Sequence, residues 1–296
     1  MPYLIEHPDE LADPRALPAR PDSVGVLLAR PSHFDVEYVI NPYMEGNIGN
    51  VDCALAMQQW ESLSEIYASL GYEVHVIDGV EGLPDLVFIA NQSFPAQMPD
   101  GTWAVVMSRM RSAHRRGEVP IVEAWYHGRN ARTLRLSDPQ AEFEGCGDCR
   151  WHPGRRLIYG GHGFRTLRSS LAELAELLET PVVPLHLTDP AFYHLDTCLS
   201  PLTETAALVV EEAFEPDGLQ MLRAAFPQLI PVPLHEARGG FAANGNCPDG
   251  KHFIVHPGNT ETTAAARALG LDVIEVDTSE FLKSGGSVFC MTMMLP

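Results

Sequence analysis

Positive charge is scarce in this chain of 296 residues: 20 Lys and Arg stand against 39 Asp and Glu, a net charge of −19. Such a field repels phosphate backbones, which argues against a nucleic acid partner, and draws small cations toward any cleft. Long apolar runs are missing too. No stretch reaches the roughly 18 consecutive apolar residues of a membrane span, and residues 1–22 carry acids and prolines rather than a basic stretch followed by an apolar one. A soluble, cytoplasmic protein with no membrane contact is expected. Cysteine is sparse, at positions 53, 146, 149, 198, 247 and 290. With no secretion signal these thiols are expected to stay reduced, each being core, metal ligand or nucleophile. Cys146 and Cys149 form a Cys-x-x-Cys, yet no second such pair or suitably spaced His pair follows, and no metal is expected. Cys198 and Cys247 read as core, or as packing beside a site. What the chain does have is a hydrophobic fraction of 45%, enough for a large core.

A repeat organises that core. A helix over residues 54–70, with an apolar stripe of Met57, Trp60, Leu63, Ile66, Tyr67 and Leu70 and a stop at Gly71, precedes a strand over 73–77. The order recurs as helix 167–178 and strand 182–187, helix 217–226 and strand 229–234, and helix 260–269 and strand 272–276. A weaker unit has a helix over 118–127, poor because of Pro120, and a strand over 132–136. Ahead of the helices stand paired short apolar runs, the first of each pair ending on a polar residue: Asn91, Glu144, His194, Asn244 and Cys290. These positions lie 53, 50, 50 and 46 residues apart, a repeat period. The last unit has no room for its helix before Pro296, and the start of the chain supplies the missing strand over 24–28 and helix over 54–70. A repeat split between the termini predicts a closed ring, a single α/β domain over 1–296, with the polar strand ends aimed at a common axis. Residues 1–23 form an N-terminal extension with no readable motif.

Cys290, His194 and Glu144 supply what nucleophilic catalysis needs: a thiol, a base or acid that cycles near neutral pH, and an anchor for positive charge. Taken singly, a Cys in an apolar run or a lone His is more often core. Sharing one repeat phase changes that reading. Asp196, two residues beyond His194, would share its face on a strand and either hold the imidazole or contact a substrate amine. In Glu-Gly-Cys-Gly-Asp148 the glycines either let backbone approach a ligand or form a tight turn.

The segments Pro84-Asp-Leu-Val-Phe-Ile-Ala-Asn91, Phe143-Glu-Gly-Cys-Gly-Asp148, Phe192-Tyr-His-Leu-Asp-Thr-Cys198 and Gly285-Gly-Ser-Val-Phe-Cys-Met-Thr292 resemble those of the guanidino-modifying enzymes of the pentein superfamily. That group includes arginine deiminase, dimethylarginine dimethylaminohydrolase, glycine amidinotransferase and the arginine dihydrolases. The resemblance implies a fivefold pseudosymmetric α/β propeller of ββαβ units acting on a small cationic guanidino substrate, with neither metal nor cofactor. A homo-oligomer is compatible with it. It also implies that Cys290 attacks the guanidinium carbon to form a covalent thiouronium-type intermediate. His194 then protonates the leaving amine and activates water, while Glu144 holds the guanidinium.

Asn91 departs from the deiminases and dimethylargininases, which resemble one another in placing Asp there. The dihydrolase branch has Asn. Dihydrolases release ammonia and then hydrolyse the neutral ureido product to ornithine, ammonia and carbon dioxide. An amide keeps an acceptor without the charge, and so suits a cationic and a neutral ligand in turn. Arginine dihydrolase is therefore the expected activity. Deiminase or dimethylarginine hydrolysis, amidinotransfer, and a non-catalytic binding protein of the same fold are the alternatives. The run over 34–45 is similar to the arginine dihydrolase domain, which implies substrate contact by Asn41. The resemblance further implies carboxylate-binding roles for Arg115, with Arg111 and Arg116 as close alternatives, and for Arg165. Asn244, at the fourth repeat position, is counted with the substrate-binding residues.

Overall fold

The computed structural model describes residues 3–296 and is a mixed α/β fold of five separate sheets. Four sheets share one plan, in which a short strand runs antiparallel to a second, and the second is parallel to a third reached through a helix. These are Ser93–Gln97, Trp103–Met107 and Arg132–Leu134; Cys149–Trp151, Ile158–His162 and Val182–His186; and Leu199–Pro201, Ala206–Val209 and Gln228–Pro231. The fourth is Met293–Leu295, Gly25–Ala29 and Glu73–Ile77, in which Gly25 lies opposite Leu295, so strands from the two ends of the sequence share one sheet. In the fifth, His252–Val255 pairs with Asp272–Glu275, and a single bridge from Asn246 to Ile254 stands in for the inner strand.

The helices follow from their caps and stripes. Cys53–Ser69 starts where the Asp52 carboxylate accepts from the N–H groups of Ala54 and Leu55, and it buries Ala56, Gln59, Trp60, Leu63 and Tyr67. Glu118–His127 is a full helix despite Pro120. The proline lies in the first turn, where the N–H it lacks would have had no intrahelical partner. The strand expected to end at 234 stops at Pro231, and Leu234 instead opens the helix Leu234–Gly240. Two prolines, Pro231 and Pro233, break the ladder there.

The apolar faces of the helices and sheets fill four buried clusters, the largest around Tyr159, Leu185, Phe192, Leu208 and Phe253. The N-terminal extension belongs to this packing. Ile5 is fully buried and its N–H bonds the Val182 carbonyl, while Pro18 and Arg20 bond the backbone at Arg156 and Gly154. Among the described residues no helix is long and apolar enough to cross a membrane.

Candidate active site

The polar residues at the repeat phase do not end strands. Asn91 and Asn244 close the 3-10 turns Ile89–Asn91 and Ala242–Asn244, Glu144 and His194 precede the short helical turns Gly145–Asp148 and Leu195–Thr197, and Cys290 lies in a turn before Met293–Leu295. Each sits just ahead of its sheet's inner strand, where the chain turns in from the preceding unit. The register argument for Asp196 fails for the same reason. It lies inside the 3-10 turn Leu195–Thr197 and is turned toward Cys290, not toward the imidazole of His194.

The thiol of Cys290 donates to Asp196 Oδ2 at 3.2 Å, and Asn244 Nδ2 donates to Cys290 Sγ at 3.1 Å. The Asn244 side chain is spent on this turn, because its Oδ1 also accepts from the N–H groups of Ser287 and Cys290 and its Nδ2 reaches the Asp196 carbonyl. Expected to meet substrate, Asn244 has its side chain engaged by the turn that carries Cys290. Burial, with the Asp196 carboxylate beside it, pushes the Cys290 thiol well above its usual range. Burial likewise lifts Asp196 to about 7, against the opposing effects of the thiol hydrogen bond and Arg150.

A second pair stands apart from the first. His194 Nε2 lies 2.7 Å from Glu144 Oε2, which also takes Arg165 Nη1 at 3.2 Å, while Glu144 Oε1 accepts from the Arg111 N–H. Burial alone would raise Glu144, yet Arg165, His194 and Arg115 together bring it to about 2. Burial lowers His194 to about 4 against the pull of Glu144, so at neutral pH the ring is uncharged. A carboxylate only accepts, so Nε2 carries the proton and Nδ1 is the basic nitrogen.

One narrow cavity, with about 10 Å³ of free space, is lined by Asn41, Asn91, Arg115, Arg165 and Cys290, joined by Asp85 and Tyr193. That volume holds roughly one water molecule, so a guanidino compound enters only if a wall moves. Asn41 bonds the Ser284 carbonyl, and Arg165 Nη2 bonds the Ile40 carbonyl while its guanidinium lies 4.8 Å from the centre of the Tyr193 ring. Arg115 is wholly engaged. Its nitrogens bond both oxygens of Glu118, the Asp85 carbonyl and, at 2.8 Å, Asn91 Oδ1.

That last bond fixes the orientation of the Asn91 amide. Arginine only donates, so the amide oxygen points at Arg115 and Nδ2 faces away. Asn91 Nδ2 is buried with no hydrogen-bond partner. The acceptor expected to serve a ligand is thus already taken, and a donor is left. Gly147 makes room for it, since a side-chain carbon there would stand 2.3 Å from Asn91 Nδ2 and 3.4 Å from the His194 ring. Gly145, at φ +52°, would meet the Ser93 carbonyl at 2.4 Å. The glycines therefore let the turn pack against the site.

Asp85, Glu118 and Tyr193 escaped sequence reasoning. Asp85 accepts from Tyr38 and Ser284 and lies 3.9 Å from Arg115; the Tyr193 hydroxyl donates to the Gly285 carbonyl. Arg115 and Glu118, three apart at a helix start, form the one spacing that could have signalled a pair. Cys146 lies against Met293 Sδ, and neither it nor Cys149 groups with two further metal-ligating side chains among the described residues.

Residues 31–295 match the family of eukaryotic N,N dimethylarginine dimethylhydrolases. The chain belongs to the dimethylarginine dimethylaminohydrolase family. It is 36% identical to the N(G),N(G)-dimethylarginine dimethylaminohydrolase of Mycobacterium tuberculosis, over 93% of this chain and 88% of that one. It is also 33% identical to the bifunctional arginine dihydrolase/ornithine cyclodeaminase ArgZ of Synechocystis sp., over 92% of this chain but only 38% of ArgZ. The shared part is the ArgZ N-terminal domain, whose crystal structure with a covalently bound reaction intermediate superposes with a TM-score of 0.85 at 32% identity, covering 92% of this chain and 97% of that domain. Within the dimethylarginine dimethylaminohydrolase family, similarity alone therefore points toward two different guanidino chemistries, and the choice falls to the site.

Proposed function

We propose that this protein is a cysteine-dependent arginine dihydrolase, built as a single catalytic domain with its five ββαβ units arranged in a closed ring. The observation that carries this choice is the Asn91 amide of the cavity wall, whose oxygen is taken by Arg115 and whose Nδ2, beside Gly147, is buried without a partner. A guanidinium has only donors and gains nothing from it. A ureido oxygen gains an acceptor's partner, and more so as charge builds on that oxygen during a second attack. A donor aimed at such an oxygen is worth about 10²–10³ in rate.

In the first round Arg165, with Arg115 behind it, takes the substrate carboxylate, and Asn41 and Asp85 bound the rest of the amino acid. Glu144 and Asp196 flank the guanidinium. Its positive charge, about 4 Å from the thiol, is worth about 4 kcal/mol at an effective dielectric constant near 20, roughly a thousandfold toward thiolate. Cys290 then bonds the guanidinium carbon and the thiol proton leaves with the departing ammonia, which breaks its C–N bond. His194 Nδ1 accepts a proton from the attacking water, the C–S bond breaks, and a neutral ureido compound remains. In the second round the ureido oxygen accepts from Asn91 and the same thiol attacks the ureido carbon, its proton leaving with ammonia as that C–N bond breaks; water then cleaves the C–S bond, and the freed carbamate loses carbon dioxide to give ornithine.

The test is incubation with arginine while counting ammonia. Two ammonia per arginine with ornithine is the expected result, and Cys290→Ser should lose at least about 10³-fold in turnover with an unchanged melting temperature. One ammonia with citrulline rejects the dihydrolase reading. Release of dimethylamine from dimethylarginine, with arginine untouched, assigns the chemistry of the Mycobacterium relative instead.

A further inference from the structure

A second cavity, with about 280 Å³ of free space, is lined by residues from all five sheets' neighbourhoods. Its inner wall includes Arg150 and Phe289, the residue immediately before the nucleophile. The Arg150 guanidinium lies 3.4 Å from the centre of the Phe289 ring, and the residue is only 6% exposed. Among the described residues no carboxylate lies within salt-bridge distance of Arg150, and its Nη1 is buried without a hydrogen-bond partner. A buried charge left in this way costs several kcal/mol, and proteins pair such charges as a rule. Burial lowers Arg150 to about 10, which still leaves it charged at neutral pH.

A second guanidinium enters the same cavity from the N-terminal extension. Arg20 lies over Trp151 at 5.3 Å, and its Nε is also buried without a partner. The acids at the rim do not neutralise the pair. Glu204 is held by Arg155 at 3.2 Å, and Asp249 by the His252 ring and the N–H groups of Lys251 and His252. Asp22 is left as the one acid whose charge bears on Arg20.

We propose that this cavity is a binding site for a small monovalent carboxylate-type anion, held between the guanidinium groups of Arg150 and Arg20. The planar fork of a guanidinium matches a carboxylate through two parallel N–H bonds. The net charge of −19 and the acidic rim work against di- and trivalent anions, and the volume suits an anion of a few heavy atoms with its water. The aromatic walls, Phe289 and Trp151, fix the two forks in place by stacking. The two forks are none of the residues assigned to arginine chemistry, although the Arg150 charge also bears on Asp196 and Cys290.

Titration calorimetry with sodium acetate and with sodium bicarbonate, at fixed ionic strength, tests this on the whole protein. The titrations are repeated in Cys290→Ser, so that no thiol reagent reaches Cys146 or Cys247 in the wall of this cavity. One saturable site is expected, weakened at least fivefold in Arg20→Gln and lost in Arg150→Gln. Crystals soaked in sodium bromide should show anomalous density between the two guanidinium groups. Arg20 is partly exposed, at the cavity mouth rather than in the core, so its variant keeps the test valid even if the buried Arg150 variant fails to fold. Acetate and bicarbonate titrations that do not saturate, or that are identical in the wild type and Arg20→Gln, overturn the proposal and leave Arg150 hydrated by water alone.

Discussion

Glu144 and Asp196 are both carboxylates with no solvent exposure, yet they are shifted in opposite directions. Glu144 has Arg165, the Arg111 N–H and the His194 ring on its two oxygens, and stays ionised down to about pH 2. Asp196 has only the Cys290 thiol on Oδ2 and nothing on Oδ1, and burial carries it to about 7. The difference teaches that partners, not depth, set a buried acid's charge. It also sets two places apart, with a permanent anion beside the His194 ring and a proton-labile acid beside the Cys290 thiol.

Removing the permanent anion should have the largest effect. Glu144→Gln leaves Arg165 buried without its charge partner, which costs about 3–5 kcal/mol in denaturant unfolding at pH 7, and turnover should fall at least about 10³-fold. The sign of the pH dependence follows from a carboxyl held below its unfolded value of 4.5. Its stabilisation is complete above pH 4.5 and is lost as pH falls toward 2, about 3 kcal/mol in all. Wild-type stability should show that decline and Glu144→Gln should not; parallel curves would mean that Glu144 is not the site's fixed anion.

Asp196→Asn sharpens the other half of the comparison with a smaller effect. Asp196 raises the thiol by its charge, so the variant should be alkylated by iodoacetamide at pH 8 about tenfold faster in the absence of substrate. A carboxyl raised in the folded state is favourable below its unfolded value and becomes a burden as pH rises from about 4 to about 7. The wild type should therefore lose on the order of 4 kcal/mol relative to the variant across that window. An unchanged alkylation rate would detach Asp196 from the Cys290 thiol.

The residues at the repeat phase were readable because each recurs about every fifty positions and none of the five suits a packing role. Their local shape was not. The period-two logic of strands assigned Asp196 to the face of His194, but the chain turns into each inner strand through a 3-10 or helical turn, and three residues of such a turn redirect the side chain to Cys290, 94 positions away. The helix over Glu118–His127 looked weak until its proline proved to lie in the first turn. Asp85, Glu118 and Arg150 were invisible because their meaning lies in partners brought together only by the fold, as with Arg115 and Asn91, 24 positions apart. For Asn91 the residue type was legible but the orientation was not. Sequence alone suggested an acceptor shared between two ligands, whereas Arg115 takes the acceptor and leaves the donor.

Product analysis of Asn91→Asp tests the account most directly. An aspartate keeps the bond to Arg115 but offers the ureido oxygen no N–H, so arginine should still be consumed while the product changes from ornithine with two ammonia to citrulline with one. Ornithine formed at the wild-type rate by Asn91→Asp would contradict the central claim that the Asn91 donor carries the second hydrolysis.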